Sequence, residues 1–123
     1  MYIGRSPALS KNAPLGGGLG YGQQWTNFTN AERVFGTYYI NDTGRAIWVT
    51  AAGTSNVGAA TYMNLPCYVD PDGQPVATIL ACYKAIYAGS DGYTVNGGFI
   101  VMPGYSYRIT CGNGGFQYWT ELR

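Results

Sequence analysis

The sequence has no histidine, few charges and little cysteine. Charged residues make up 11% of the 123 positions, against about 25% in soluble domains. Without an imidazole, serine or cysteine triads and histidine-ligated zinc or iron are excluded. The net charge is +1, with no basic run, so the positive field is too weak to hold a phosphate backbone. We therefore expect no nucleic-acid partner, and carboxylates are the groups left for catalysis.

Long hydrophobic runs are also missing. No apolar stretch approaches the ~18 residues needed to span a bilayer, and no basic-then-apolar leader follows Met1. We expect a chain that is neither secreted by its own signal nor inserted into a membrane.

Three cysteines are too few for a disulfide scaffold of this length, and they show no Cys-x-x-Cys spacing. We expect reduced thiols at all three. A hairpin centred on Pro71 and Asp72 would place Cys67 opposite Val76, with Cys82 roughly 20 Å further along the strand. This register predicts that Cys67 and Cys82 do not form a disulfide. The cysteines are Cys67, Cys82 and Cys111.

Glycine, proline and tyrosine are abundant, at 19, 6 and 12 residues. This composition disfavours helix and favours strands joined by tight turns. Runs rich in Tyr, Thr, Val and Ile recur at the spacing of an all-β sandwich. The sequence therefore predicts an all-β fold, a compact antiparallel β-sandwich of jelly-roll-like form. Its eight expected strands are 23–29, 37–41, 47–52, 61–69, 74–85, 97–102, 106–111 and 116–122.

Residues 1–22 contain two prolines and the glycine-rich run Gly16–Gly22, with no steady apolar period. We predict an extended arm or linker over 1–22 and a sandwich domain over 23–123. A phosphate-binding loop is disfavoured because no Gly-Lys-Ser/Thr and no helix pattern follow the glycines.

Alternation with a period of two separates an inner from an outer face on each strand. The predicted core comprises Ile47, Val49, Ala51, Met63, Leu65, Cys67, Val69, Tyr107, Ile109 and Cys111. The outer sets include Trp48, Tyr62 and Tyr68, and the last strand carries rings on both faces. A second aromatic face needs a neighbouring subunit or a ligand to cover it, unless these are the scattered exposed rings of an ordinary surface.

Four stretches carry a resemblance to a known family. They are Gly20–Thr29 (GYGQQWTNFT), Arg33–Ile47 (RVFGTYYINDTGRAI), Phe99–Tyr107 (FIVMPGYSY) and Tyr118–Arg123 (YWTELR). In this order they resemble the C-terminal tip domain of bacteriophage tail fibres, which has Gly-Gln-x-Trp, Asn-x-Thr-Gly-Arg/Lys-Pro-Ile, Val-Pro-x-Gly-x-x-Tyr and Trp-x-Glu-Leu motifs. Ala46 stands where the family usually has proline. The stretches 52–60 and 83–96 follow no family pattern.

The resemblance implies a β-sandwich that assembles as a homotrimer at the distal end of a virion tail fibre, after synthesis in the host cytoplasm. It also implies contact with a bacterial surface glycan or outer-surface protein, and attachment to the rest of the fibre through the N-terminal arm. Three tryptophans on predicted strands are expected to be structural or to lie at the trimer interface: Trp25, Trp48 and Trp119.

Loops on a rigid scaffold are the expected place for receptor contacts. Residues 84–94 combine two tyrosines with a carboxylate and hydroxyls, groups that suit sugars. We predict receptor binding by Tyr87, Asp91, Tyr93 and Asn56, and an ordinary solvated loop remains the alternative.

Other functions fit parts of the pattern. A glycosidase needs two carboxylates ~5 to 9.5 Å apart across a cleft, but the acidic residues fall near turns or chain ends. Asp70-x-Asp72-Gly73 lacks the downstream acidic ligands of a calcium loop. We expect no enzyme, no metal and no cofactor. A stand-alone lectin or carbohydrate-binding module is the competing class, and a structural virion protein without receptor binding is the third.

Overall fold

The computed structural model describes residues 18–55, 61–71, 78–88 and 93–123. Within these ranges the chain forms two antiparallel sheets of four strands each and no helix. The predicted β-sandwich is therefore confirmed. The strands are β1 (Trp25–Phe28), β2 (Tyr38–Ile40), β3 (Ile47–Ser55), β4 (Thr61–Asp70), β5 (Ile79–Ala88), β6 (Thr94–Val101), β7 (Ser106–Ile109) and β8 (Gly114–Leu122).

The strand order explains how the two sheets form. One sheet has the order β1-β8-β3-β6 and the other β2-β7-β4-β5. The pairs β1–β8, β2–β7, β3–β6 and β4–β5 are those of one long folded ribbon, which is closed by the pairings β3–β8 and β4–β7. Such a wrapped ribbon of eight strands is the jelly-roll arrangement. It leaves β5 and β6 as edge strands on the same side of the sandwich.

The core lies between the inner faces of the sheets, where the alternation predicted it. Ile47, Val49 and Ala51 of β3 are buried against Met63, Leu65 and Cys67 of β4, with Tyr107 and Ile109 of β7 beside them. Of the ten predicted core residues, nine are buried, and Cys111 is half-buried against this cluster.

The β4–β5 hairpin differs from the sequence prediction. Val69 pairs with Ile79, and Cys67 pairs with Cys82, which lies six residues beyond the predicted partner Val76. A bulge between Cys67 and Tyr68 shifts the register further. The predicted pairing of Cys67 with Val76 and the 20 Å separation from Cys82 are therefore wrong. The three cysteines are free thiols.

Strand β8 carries rings on both faces, as the alternation predicts. Trp119 and Glu121 point into the core, whereas Tyr118 points outward. A register shift between Ala52 and Gly53 brings Phe116 opposite Gly53 and packs it against the core. Because a bulge breaks the alternation locally, Phe116 and Trp119 both pack against the core although they are three residues apart.

Candidate functional site

The sandwich has two distinct ends, which we name by the segments that meet there. The arm end contains Gly18, where the described chain begins. It also contains the turn 41–46, the turn 102–105 and Arg123. At the loop end, Ser55 pairs with Gly114 and Thr61 pairs with Ala88. The antiparallel bridge between Asn64 and Gly112 at this end continues the pairing of β4 with the segment after β7. The connections 56–60 and 89–92 both leave from the loop end.

A buried asparagine organises the arm end. The Asn41 side chain is fully buried, and its amide donates hydrogen bonds to the carbonyl oxygens of Arg45 (2.6 Å) and Val101 (3.0 Å). Its Oδ1 accepts from the backbone amide (3.1 Å) and the hydroxyl (2.7 Å) of Thr43. Gly44 has a φ of 80°, which favours glycine. The Asn-x-Thr-Gly-Arg motif is thus the hydrogen-bonding pattern of one turn.

This turn holds the entering chain. The Arg45 guanidinium donates hydrogen bonds to the carbonyl oxygens of Gly18 (3.0 Å) and Tyr21. The Gln23 side-chain amide donates to the carbonyl oxygen of Ala46 at 2.8 Å. The described part of the arm is therefore anchored to the sandwich by side chains of the motifs that carry the family resemblance.

The Trp-x-Glu-Leu end of the sequence forms a buried polar cluster. Glu121 is fully buried, and its Oε2 accepts hydrogen bonds from the Trp119 indole (2.9 Å), the Tyr107 hydroxyl (2.8 Å) and the Arg33 guanidinium (3.1 Å). Its Oε1 accepts from Arg123 at 2.7 Å. Side chains two apart on a strand share a face, which explains why tryptophan and glutamate are spaced by one residue.

The ionisation of Glu121 follows from this cluster. Burial, the largest single influence, would raise its pKa, but the hydrogen bonds from Arg33, Trp119 and Tyr107 and the charge of Arg33 outweigh it and lower the pKa below the ordinary value. Glu121 is therefore a structural carboxylate held ionised by its partners, and sequence reasoning missed its burial.

At the loop end, two of the predicted receptor-binding residues are open to solvent. Tyr87 is 67% exposed, but it lies on β5 and not in a loop as predicted. Tyr93 is 44% exposed and immediately precedes β6. Its backbone amide donates to the Ser55 hydroxyl at 2.7 Å, and its carbonyl accepts from the Ser55 amide at 2.8 Å. The predicted contacts Asn56 and Asp91 lie outside the described residues.

Tyr87 belongs to a group of rings on the outer face of β4 and β5. We call Tyr62, Tyr83 and Tyr87 the tyrosine patch. Tyr62 pairs directly with Tyr87 across the strands, and the hydroxyls of Tyr62 and Tyr83 are 2.8 Å apart. The Asn113 side-chain amide donates to the carbonyl oxygen of Tyr62 at 2.6 Å. Sequence reasoning identified Tyr62 as outward-facing but missed Tyr83, although the alternation with Tyr87 along one strand was a usable signal.

The three tryptophans occupy different environments. Trp119 is fully buried, whereas Trp25 is 60% exposed. Trp25 pairs with Leu122, Leu122 with Trp48, and Trp48 with Ile100, so these four residues cross the outer face of one sheet as an apolar row. The Trp48 indole lies against Gly98, since a Cβ there would come within 2.6 Å of its ring.

The close contact between Trp48 and Gly98 gives a testable expectation. Gly98→Ala should displace the Trp48 ring from the sheet and lower the free energy of unfolding by about 1–3 kcal/mol. Gly115→Ala is the matched control, because nothing lies within 4 Å of a Cβ at that position. Urea unfolding and the tryptophan emission maximum measure both effects. Equal stability and equal emission for the two variants would show that the ring does not rest on Gly98.

The described carboxylates with assigned partners have structural roles. Glu32 accepts a hydrogen bond from the Thr29 backbone amide at 2.8 Å, and Asp42 lies 3.5 Å from Arg123. Across the described ranges, no group of three Cys, Asp or Glu side chains is placed to hold a metal ion. No helix of sufficient length and hydrophobicity to cross a membrane occurs in those ranges either.

In the comparisons with known proteins, no protein-family model and no curated protein matches this chain.

Proposed function

We propose that this protein is the receptor-binding tip of a bacteriophage tail fibre and attaches the virion to the surface of its bacterial host. The observation that carries the proposal is the separation of the two ends. The chain enters at the arm end through contacts with Arg45, whereas both connections outside the family pattern leave from the loop end. A domain that is tethered at one end and carries these connections at the other is arranged for contact with a target.

The motifs of the resemblance fit the same division. The Asn41 turn and the 102–105 turn build the arm end, and Glu121 ties the adjoining strands together. The unpatterned stretches 52–60 and 83–96 cover the halves of β3, β5 and β6 nearest the loop end. The family-like residues thus account for the scaffold, and the remaining residues are available for specificity.

The exposed rings supply suitable binding chemistry. The tyrosine patch offers aromatic faces for the C–H surfaces of sugars and hydroxyls for their polar groups, with Tyr93 on the opposite sheet beside the same connection. A surface glycan is the receptor class that this chemistry favours, and tyrosine suits a protein receptor as well.

A homotrimer is part of the proposal, and its number comes from the family resemblance alone. The apolar row of Trp25, Leu122, Trp48 and Ile100 is a surface that sister copies would cover. The arm would then continue into the preceding part of the fibre, placing the domain at the distal end of the virion fibre.

Two measurements test this function. Fluorescently labelled protein, incubated with a panel of bacterial strains, should bind a subset of strains and be released by excess unlabelled protein. Sedimentation at micromolar concentration should give a trimer. A monomer that binds free sugars would support a carbohydrate-binding module, whereas a trimer that binds no strain would support a structural virion protein.

A further inference from the structure

Two of the three thiols are placed side by side in the core. Cys67 of β4 and Cys82 of β5 are directly opposite in the antiparallel register. A Cβ built on Gly97, in the facing sheet, would lie 2.9 Å from the Cys82 Sγ and 3.8 Å from the Cys67 Sγ. Both sulfur atoms therefore point inward and converge on the space that the missing side chain at position 97 leaves open.

The backbone geometry suits a covalent link. Directly opposed residues of an antiparallel pair have Cα atoms about 4.5 to 5.5 Å apart, which lies within the range of about 4.4 to 6.8 Å found for disulfides. No strand has to slide for the two sulfurs to meet, because the register already aligns them.

The third cysteine provides an internal comparison. The Cys111 Sγ lies against Gly53 and Gly114, where Cβ atoms would come within 2.5 and 3.0 Å of it. Cys67 and Cys82 are instead the sulfurs that meet at Gly97. Cys67 and Cys82 are therefore the two cysteines placed to form a disulfide, and Cys111 is the matched control.

Accessibility distinguishes the roles of the two paired thiols. Cys67 is fully buried, and burial, with a smaller contribution from the neighbouring Cys82, raises the pKa of its thiol well above the ordinary value. Cys82 is only half-buried and lies on an edge strand. Since oxidants react with accessible thiolates, Cys82 is the thiol that an oxidant reaches first, and Cys67 is the resolving partner.

We propose that Cys67 and Cys82 form a redox couple that closes to a disulfide under oxidising conditions and fastens the edge strand β5 to β4. With hydrogen peroxide as oxidant, the Cys82 sulfur takes one oxygen to become a sulfenic acid and one water is released. The Cys67 sulfur then attacks the Cys82 sulfur, the S–S bond forms and the oxygen leaves as a second water. The two thiols lose two electrons and two protons, and the peroxide is reduced to water.

The consequence concerns the strand that carries Tyr83 and Tyr87. Because β5 is an edge strand that pairs with β4 alone among the described strands, a cross-link at Cys82 would limit its opening. Oxidation should raise the melting temperature by about 5 °C or more and slow amide exchange along β5. This inference depends on the β4–β5 register and not on the proposed function.

The test uses the full chain, treated either with hydrogen peroxide or with a thiol reductant. The oxidised wild type and Cys111→Ser should each lose the mass of two hydrogens, and a non-reduced digest should contain one peptide pair joined through Cys67 and Cys82. Both proteins should melt at higher temperature than their reduced forms, whereas Cys82→Ser should show neither change.

Three results would overturn the proposal. These are three free thiols persisting after oxidation, a link that involves Cys111, and a Cys82 that passes to the sulfinic acid without forming a bond to Cys67. Because the peptide map of the wild type alone distinguishes them, the test holds even if a serine variant folds poorly.

Discussion

Replacing Glu121 with glutamine should lower the free energy of unfolding by about 3 kcal/mol. The carboxylate is fully buried and accepts hydrogen bonds from Arg33, Trp119, Tyr107 and Arg123. A neutral amide turns one acceptor oxygen into a donor, removes the counter-charge of Arg33 and leaves Arg123 with the exposed carboxylate of Asp42. The figure is at the low end for breaking a buried ion pair, because the arginine side chains retain 15% and 23% exposure. Urea unfolding monitored by circular dichroism measures it.

Asp42→Asn is the matched control for this substitution. Asp42 also lies beside Arg123, but its side chain is 82% exposed, and an exposed ion pair contributes about 0–1 kcal/mol. If Glu121→Gln cost no more than Asp42→Asn, the buried cluster would not hold the sheets together.

The same carboxylate makes the stability of the protein depend on pH in the acidic range. Because the pKa of Glu121 is lower in the folded chain than its ordinary value of 4.5, its contribution to stability is fully present above that pH. The contribution is lost as the pH falls from there through the lowered pKa of the folded state.

Exposed Glu32 contributes to acid sensitivity with the same sign, because hydrogen bonds from Thr29 lower its pKa. The comparison of wild type with Glu121→Gln therefore isolates the buried group. The stability difference between these two proteins should shrink from about pH 7 to about pH 3. A difference that stays constant would contradict the assignment.

Replacing Asn41 with alanine should cost about 3 kcal/mol as well, for a different reason. The side chain satisfies the carbonyl oxygens of Arg45 and Val101 and accepts two hydrogen bonds from Thr43. Each buried group left without a partner costs about 1–3 kcal/mol. The loss should also loosen Arg45, whose guanidinium holds the carbonyl oxygens of Gly18 and Tyr21.

Asn27→Ala serves as the control for this second substitution. Asn27 is exposed and accepts one hydrogen bond, from the Thr120 hydroxyl at 2.7 Å, so its removal should cost less than about 1 kcal/mol. Hydrogen exchange of residues 18–24 should rise in Asn41→Ala and stay unchanged in Asn27→Ala. An Asn41 variant with wild-type stability would show that the turn does not depend on its asparagine.

The strands and the core could be predicted from the sequence. Met63, Leu65, Cys67 and Val69 alternate with mostly polar or aromatic neighbours, and this alternation identifies one buried face. The sequence was not sufficient for the β4–β5 register. The Asp70-Pro71-Asp72-Gly73 run predicts a turn centred on Pro71 and Asp72, but Val69 pairs with Ile79 and a bulge follows Cys67. Local turn chemistry does not determine the register, which also depends on residues such as Ile86 that pack against the core.

The candidate site was predicted only in part for the same reason. The fifth strand continues to Ala88 and does not end at residue 85 as predicted, which places Tyr87 on a strand beside Tyr62. Burial of Glu121 could not be read from one residue, since glutamate is usually exposed. The buried charge is compensated by partners that come from β7, β8 and the segment before β2.

The central claim is that the loop end, and not the arm end, contacts the bacterial surface. Binding of labelled protein to a susceptible strain should fall by about tenfold or more in the Tyr87→Ala/Tyr93→Ala double variant, while its melting temperature and sedimentation stay those of the wild type. Tyr21→Ala removes an exposed ring of the arm end and should bind like the wild type. Unchanged binding by the double variant, or an equal loss in Tyr21→Ala, would contradict this account.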